Sequence, residues 1–186
     1  MRPFFSSGNE ETKSKSKYLS QGAIFAALYV GLSYLQNMLL PGSASWAIQC
    51  RVAEALCVFA FFTPAAIYGL SIGCLLFNLS YSMALPLDPV VGTLATALAT
   101  WCMWKLRNFR LLGPPWLGLL MPALWNALLV GWELTVYIGG GFWLNALYVA
   151  IGEVIALFVP GLVLYRVLVT NKTLIRLLKE TLGGNP

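Results

Sequence analysis

The chain has 186 residues, 59% of them hydrophobic and only 10% charged, with twelve Lys and Arg against seven Asp and Glu and no histidine. A mean hydropathy of +0.74, in apolar runs cut by short polar breaks, excludes an ordinary soluble domain and describes a helical protein that crosses a membrane several times. At roughly 17 to 25 residues per span there is room for about six spans and little else, so one compact bundle is expected.

Residues 1–17 are rich in Ser, Lys and Glu and are expected to form a flexible cytoplasmic tail. The first span then runs from Tyr18 to Leu40. Lys13, Lys15 and Lys17 precede it as in a secretory signal, but it has full span length and no clear small-residue cleavage site, so it is expected to be retained. Ala23, Ala27 and Gly31 stack on one stripe at i, i+4 and i+8. Such a stripe serves either packing inside the bundle or docking of a separate protein.

Pro41-Gly42-Ser43 ends this span, and a short loop carries Trp46 to Gln49, Arg51 and Glu54. Arg51 and Glu54 are three apart and share a face if the segment is helical. In so apolar a chain they must be matched by each other, by water or by a ligand. The second span runs from near Gln49 to Thr63, which with Pro64 supplies an N-cap and first-turn residue for the third. That span reaches Tyr81 and carries Asn78. Asp88-Pro89 repeats the start signal, so helix capping by Asp88 stands beside ligand contact.

The fourth span ends in Lys105, Arg107 and Arg110, and Pro114-Pro115 opens the fifth, which carries Trp125, Asn126, Trp132 and Glu133. After Gly139-Gly140-Gly141 the sixth runs from Trp143 to Val169, carries Asn145, Gly152 and Glu153, and is expected to bend at Pro160. The bundle therefore occupies 18–170, and 171–186 form a C-terminal cytoplasmic tail. Cys50, Cys57, Cys74 and Cys102 have no metal-ligand spacing and read as small apolar fillers.

Six spans put both termini on one side, together with Lys105, Arg107, Arg110 and the basic residues that follow the last span. By the positive-inside rule that side is the cytoplasm. Arg51 falls towards the opposite face, in company with Glu54, Asp88, Glu133, Glu153, Asn78 and Asn145. Asn126 and Glu133 are seven apart on one stripe, with Trp125 and Trp132 on the next. A flat ring stacked on indole, its edge held by a carboxylate and an amide, would use both stripes. For Trp46, Trp132 and Trp143 the alternative is an aromatic belt at the interface. Glu153 lies about 15 Å below the end of its span and must be paired or protonated. No metal cluster, nucleophile elbow or phosphate-binding loop is recognisable, so enzymatic chemistry has no support and uphill transport would draw on ATP hydrolysed by another protein.

The segments 48–56, 61–67 and 126–153, with the small-residue stripe and the polar outer half, resemble the QueT family, a substrate-binding (S) component of energy-coupling factor (ECF) transporters. The resemblance is weaker at Ala60 and Tyr68, where proline is expected. It implies an all-α integral membrane protein, a six-helix bundle of the ECF S-component type in a prokaryotic cell membrane. Its function would be high-affinity capture of a queuosine precursor, a 7-deazaguanine such as 7-aminomethyl-7-deazaguanine, its cyano analogue or queuine. The partners implied are a membrane scaffold (T) subunit, docked on Ala23, Ala27 and Gly31, and two ATPase subunits. ATP is used by those subunits, no cofactor or metal is bound by this chain, and nucleic acid is not a partner.

The residues suit such a ligand. Glu133 or Glu54 would accept from ring donors, and Arg51 and Gln49 would meet the carbonyl or organise Glu54. Glu153 would anchor the deep end, Trp132 or Trp143 would stack, and Trp46 would close over the site. Asn78, Asp88, Asn126 and Asn145 complete the expected set. The alternatives are capture of another flat cationic vitamin, a stand-alone proton-coupled transporter using Glu153 or Glu133, and an intramembrane enzyme.

Overall fold

The computed structural model describes residues 7–41, 50–81, 83–110 and 113–180, with side chains from 15 to 176. Trp46 and Gln49 lie outside the described residues. Every regular element among those described is helical.

The order is α1 (Ser7–Leu39), a 3-10 helix (Val52–Phe61), α2 (Ala65–Ser80), α3 (Asp88–Leu106), a single turn α4 (Trp116–Leu119), α5 (Met121–Tyr137), α6 (Phe142–Ala156), a π-turn (Leu157–Gly161), α7 (Leu162–Thr170) and α8 (Lys172–Glu180). Among the described residues three stretches are long and apolar enough to cross a membrane: Lys15–Leu39, Trp116–Tyr137 and Phe142–Thr170. These are the first, fifth and sixth of the expected spans.

The second expected span differs most. In place of a long α-helix, ten residues wind as a 3-10 helix, and eight of them are buried. At about 2.0 Å rise per residue they cover about 20 Å, where the same residues as α-helix would cover about 15 Å. Enclosure by neighbouring helices replaces the stability that a 3-10 helix of this length lacks by itself.

The ends also differ from expectation. α1 begins at Ser7, inside the segment expected to be a flexible tail. Glu10 and Glu11 stand three and four residues before Lys13 and Lys15, a spacing that supports helix beyond the apolar span. α8 likewise occupies Lys172–Glu180, within the expected C-terminal tail. At Pro160 the expected distortion takes the form of the π-turn.

α1 packs most extensively on α2, and α5 on α6. Gly69 and Gly73 make the first contact possible, because a Cβ on Gly69 would lie 2.4 Å from the Gly22 carbonyl oxygen and one on Gly73 would lie 2.7 Å from Tyr29 Cβ. Gly131 does the same for the second: its Cβ would fall 2.8 Å from Ala146 Cα. One core gathers Tyr29, Val58, Leu70 and Leu168, and a smaller one gathers Val91, Val130, Leu134 and Val149.

Candidate ligand-binding site

Arg51 is the N-cap residue of the 3-10 helix, with extended backbone at φ −96° and ψ 97°. That conformation is held by Gln36 of α1, which accepts from the Val52 backbone N–H at 2.7 Å and donates its amide to the Cys50 carbonyl oxygen. One side chain thus clamps the chain on both sides of Arg51. The guanidinium meets Asp88 at 3.5 Å, with both side chains 8% exposed. Asp88 does not cap α3. Its second oxygen accepts from the Leu85 N–H at 2.8 Å, so it ties the preceding turn to Arg51 instead.

Asn78 supports the same corner by donating to the Asp88 carbonyl oxygen at 3.0 Å. Gly92 leaves room for both neighbours, since a Cβ there would lie 2.7 Å from Asn78 Nδ2 and 3.4 Å from Arg51 Nη1. Glycine at this position is favoured by the close approach of the Asn78 amide.

Glu54 is fully buried and engaged. Its Oε1 accepts from the Tyr29 hydroxyl at 2.6 Å and from Thr96 at 3.2 Å, and its Oε2 from the Cys57 thiol at 3.1 Å. Three helical elements therefore converge on one carboxyl. Such a group holds the bundle together and has little capacity left for a ligand.

Glu133 and Glu153 are equally buried but differently placed in bonding terms. Apart from the Asp88 carboxyl that it meets, Glu133 has no hydrogen-bond partner among the described residues, and Oε2 of Glu153 is unpaired. Glu133 faces Asp88 carboxyl to carboxyl and lies within electrostatic reach of Arg51. Glu153 interacts electrostatically with Glu54 and Arg51. Asn126 Nδ2, Trp125 Nε1, Thr93 Oγ1 and Arg51 Nε are further buried polar atoms without a partner. Buried polar groups are normally satisfied, so these atoms are the candidate contacts for a ligand or ordered water.

The register of α5 against α6 gives the depth of these groups. Gly131 sits opposite Ala146, and the helices run antiparallel across the turn between Tyr137 and Phe142. Asn126 therefore lies near the level of Gly152 and Glu153, whereas Glu133 lies about 13 Å along the axis from Glu153, at 1.5 Å per residue. The unpaired atoms form a column and not a single point.

A family model described as QueT transporter matches residues 19–170. The chain belongs to the QueT transporter family. It is accordingly a membrane transport protein, and its family membership agrees with a non-enzymatic role. No curated protein and no solved structure matches the chain.

In this QueT chain Arg51 lies within electrostatic reach of Glu54, Asp88, Glu133 and Glu153, Asn78 bonds to the Asp88 backbone, and Asn126 is buried near the level of Glu153. Asn145 stands apart: its amide donates to Thr135 Oγ1 and the Gly139 carbonyl oxygen, both at 3.0 Å, and fastens the turn between α5 and α6. Trp132 and Trp143 are 49% and 79% exposed on the outside of the bundle. That is the placement of an aromatic belt. Trp125, half-buried with its N–H unpaired, is the indole positioned nearer the interior.

Gln36, Tyr29 and Thr96 were not singled out by charge or motif. A polar residue spaced to face inwards on an apolar helix was the available signal. Among the described residues no group of His, Cys, Asp and Glu could hold a metal ion.

The small-residue stripe is exposed, with Ala23, Ala27 and Gly31 all on the outer side of α1. They line a groove of about 1000 Å³ between α1 and α2, with Tyr68, Gly69 and Ile72 on the opposite wall.

Proposed function

We propose that this QueT protein is the substrate-capture component of an ECF transporter that imports a queuosine precursor of the 7-deazaguanine type. The observation that carries the reading is the column of unpaired, buried donors and acceptors inside an apolar helical bundle. A guanine-like ring presents N–H donors beside a carbonyl oxygen, the complement of a carboxylate beside an amide or guanidinium. Glu153 and Asn126 provide one such pair, Glu133 and Arg51 another, and Trp125 supplies an indole face or an N–H donor. Glu54, Asp88 and Asn78 act as organisers, and Trp46 and Gln49 remain the proposed lid and carbonyl contact.

On this reading the site opens to the outside, both termini are cytoplasmic, and Lys105, Arg107 and Arg110 mark the inner face. The groove between α1 and α2 receives a helix of the T subunit, because small residues on both walls allow close backbone approach. Two ATPase subunits then drive reorientation.

The test is calorimetric titration of the purified protein with 7-aminomethyl-7-deazaguanine, queuine, guanine and thiamine. Tight saturable binding of a deazaguanine supports the reading, and binding of thiamine alone overturns the ligand class. Uptake by membranes lacking any ATPase partner would replace ECF coupling with a stand-alone carrier.

A further inference from the structure

One end of the bundle is basic. Among the described residues every acidic side chain, Glu54, Asp88, Glu133 and Glu153, is buried. Contacts bring the exposed cations of two helices to the same end. A Cβ on Gly118 would lie 3.8 Å from Leu106 Cβ, at the end of α3, and 2.6 Å from the Phe61 ring, and that ring meets Tyr165 of α7 at 5.9 Å. Lys105 and Arg107 therefore sit at the same end as Arg166. Those two lie over the indoles of Trp101 and Trp104. Arg166 and Lys172 are exposed, and neither meets an acidic side chain among the described residues.

Arg166 and Lys172 flank a cleft of about 730 Å³ completed by Val167, Thr170 and Asn171. The chain fixes its place at the membrane surface, because the stretch Phe142–Thr170 ends at its rim and α8 starts at Lys172. Asn171 between them is extended, at φ −89° and ψ 90°, and its side chain accepts from the Leu174 N–H at 3.1 Å. The turn is thereby fastened. In α8 Leu174 packs against the core and Ile175 is half-buried, while Lys172 and Arg176, one turn apart, are exposed. An amphipathic helix with basic residues on its polar side, leaving the end of a span, lies in the plane of the headgroups. Leading away from the cleft along the span, Val159, Val163 and Val167 form an exposed apolar stripe at intervals of four. Two cations at the foot of an apolar stripe complement a phosphate that carries an acyl chain, and a free phosphate has no use for the stripe.

We propose that this cleft binds an anionic phospholipid of the surrounding membrane. Arg166 and Lys172 hold the headgroup phosphate, an acyl chain follows Val163 and Val159, and the lipid fixes α8 against the end of α7. With no acid beside the two cations, a headgroup of net negative charge is preferred over a zwitterionic one. The site is independent of the transported ligand.

The experiment is native mass spectrometry of the purified full chain in uncharged detergent, titrated with phosphatidylglycerol or with phosphatidylcholine of the same acyl chains. Each cation close to an anionic headgroup contributes roughly a factor of five in affinity, so the wild type is expected to prefer phosphatidylglycerol by about 20-fold. Arg166→Gln and Lys172→Gln should each lose about fivefold of that preference. The double variant loses it, and Lys105→Gln, at the same end but outside the cleft, keeps it. Excess glycerol phosphate is expected to leave the lipid bound. Equal wild-type binding of the two lipids overturns the proposal and leaves this face to a partner protein. A preference that survives in the double variant overturns it too, and displacement by glycerol phosphate reassigns the cleft to a soluble phosphate. The lipid comparison and the competition both use the wild type, so they decide even if the double variant does not fold.

Discussion

The Tyr29 hydroxyl donates to Glu54 Oε1 across 2.6 Å, joining α1 to the 3-10 helix at a point where neither residue is more than 1% exposed. Removing the hydroxyl leaves Glu54 with two weaker donors, Thr96 and Cys57. Tyr29→Phe is therefore expected to lower stability by about 1 to 3 kcal/mol, the usual cost of depriving a buried acceptor. Thermal unfolding in detergent measures it, and an unchanged midpoint would show that Glu54 does not depend on α1.

Gly92 faces two polar side chains that hold the Arg51 corner. Gly92→Ala places a methyl group 2.7 Å from Asn78 Nδ2, which must shift, while the 3.4 Å approach to Arg51 Nη1 is an ordinary contact. A stability loss of about 1 to 3 kcal/mol is expected from the overpacking. Ligand affinity should fall with it, and titration of the folded variant separates the two effects. Unaltered affinity would mean that the Arg51 corner is not part of the site.

The exposed stripe on α1 makes a contrasting prediction. Ala27→Trp fills the groove between α1 and α2 from outside and leaves the buried polar column untouched. Uptake in cells should be lost while ligand binding by the purified protein stays within about twofold of the wild type, since surface changes remote from a site are nearly neutral for it. Normal uptake would rule out the groove as a docking face.

Asn145 and Trp143 are expected to be dispensable for binding. Asn145→Ala removes two hydrogen bonds that fasten the turn after α5, so stability should drop by about 1 to 2 kcal/mol. Trp143→Leu alters a side chain that is 79% exposed. Loss of affinity in either variant, measured by titration, would return that residue to the ligand site.

The sequence makes the class of fold legible because apolar runs and rare charges have few explanations in a chain of this composition. The convergence of Arg51, Glu54, Asp88, Glu133 and Glu153 is legible for the same reason: a buried charge has to be met. Which carboxyl is already met is not, since the partners of Glu54 come from Tyr29 and Thr96, 25 and 42 residues away. Hydroxyls and amides on apolar helices leave no mark in a count of charges. The 3-10 helix is hidden for a related reason. Its residues suit an α-helix equally well, and only enclosure on all sides selects the longer form. Trp132 and Trp143 lie on the outside of the bundle, a placement that spacing alone does not separate from stacking on a ligand.

Helix α1 presents two surfaces to two different regions. Ala27 and Gly31 face the outer groove, while Tyr29 and Gln36 reach inwards to Glu54 and to the backbone flanking Arg51. The helix is continuous from Ser7 to Leu39 and is pressed backbone to backbone against α2 at Gly69 and Gly73. It behaves as a lever with both grips on one rigid shaft. Because one helix carries both the Gln36 clamp and the Tyr29 hydroxyl, a tilt applied at the groove would displace the two together.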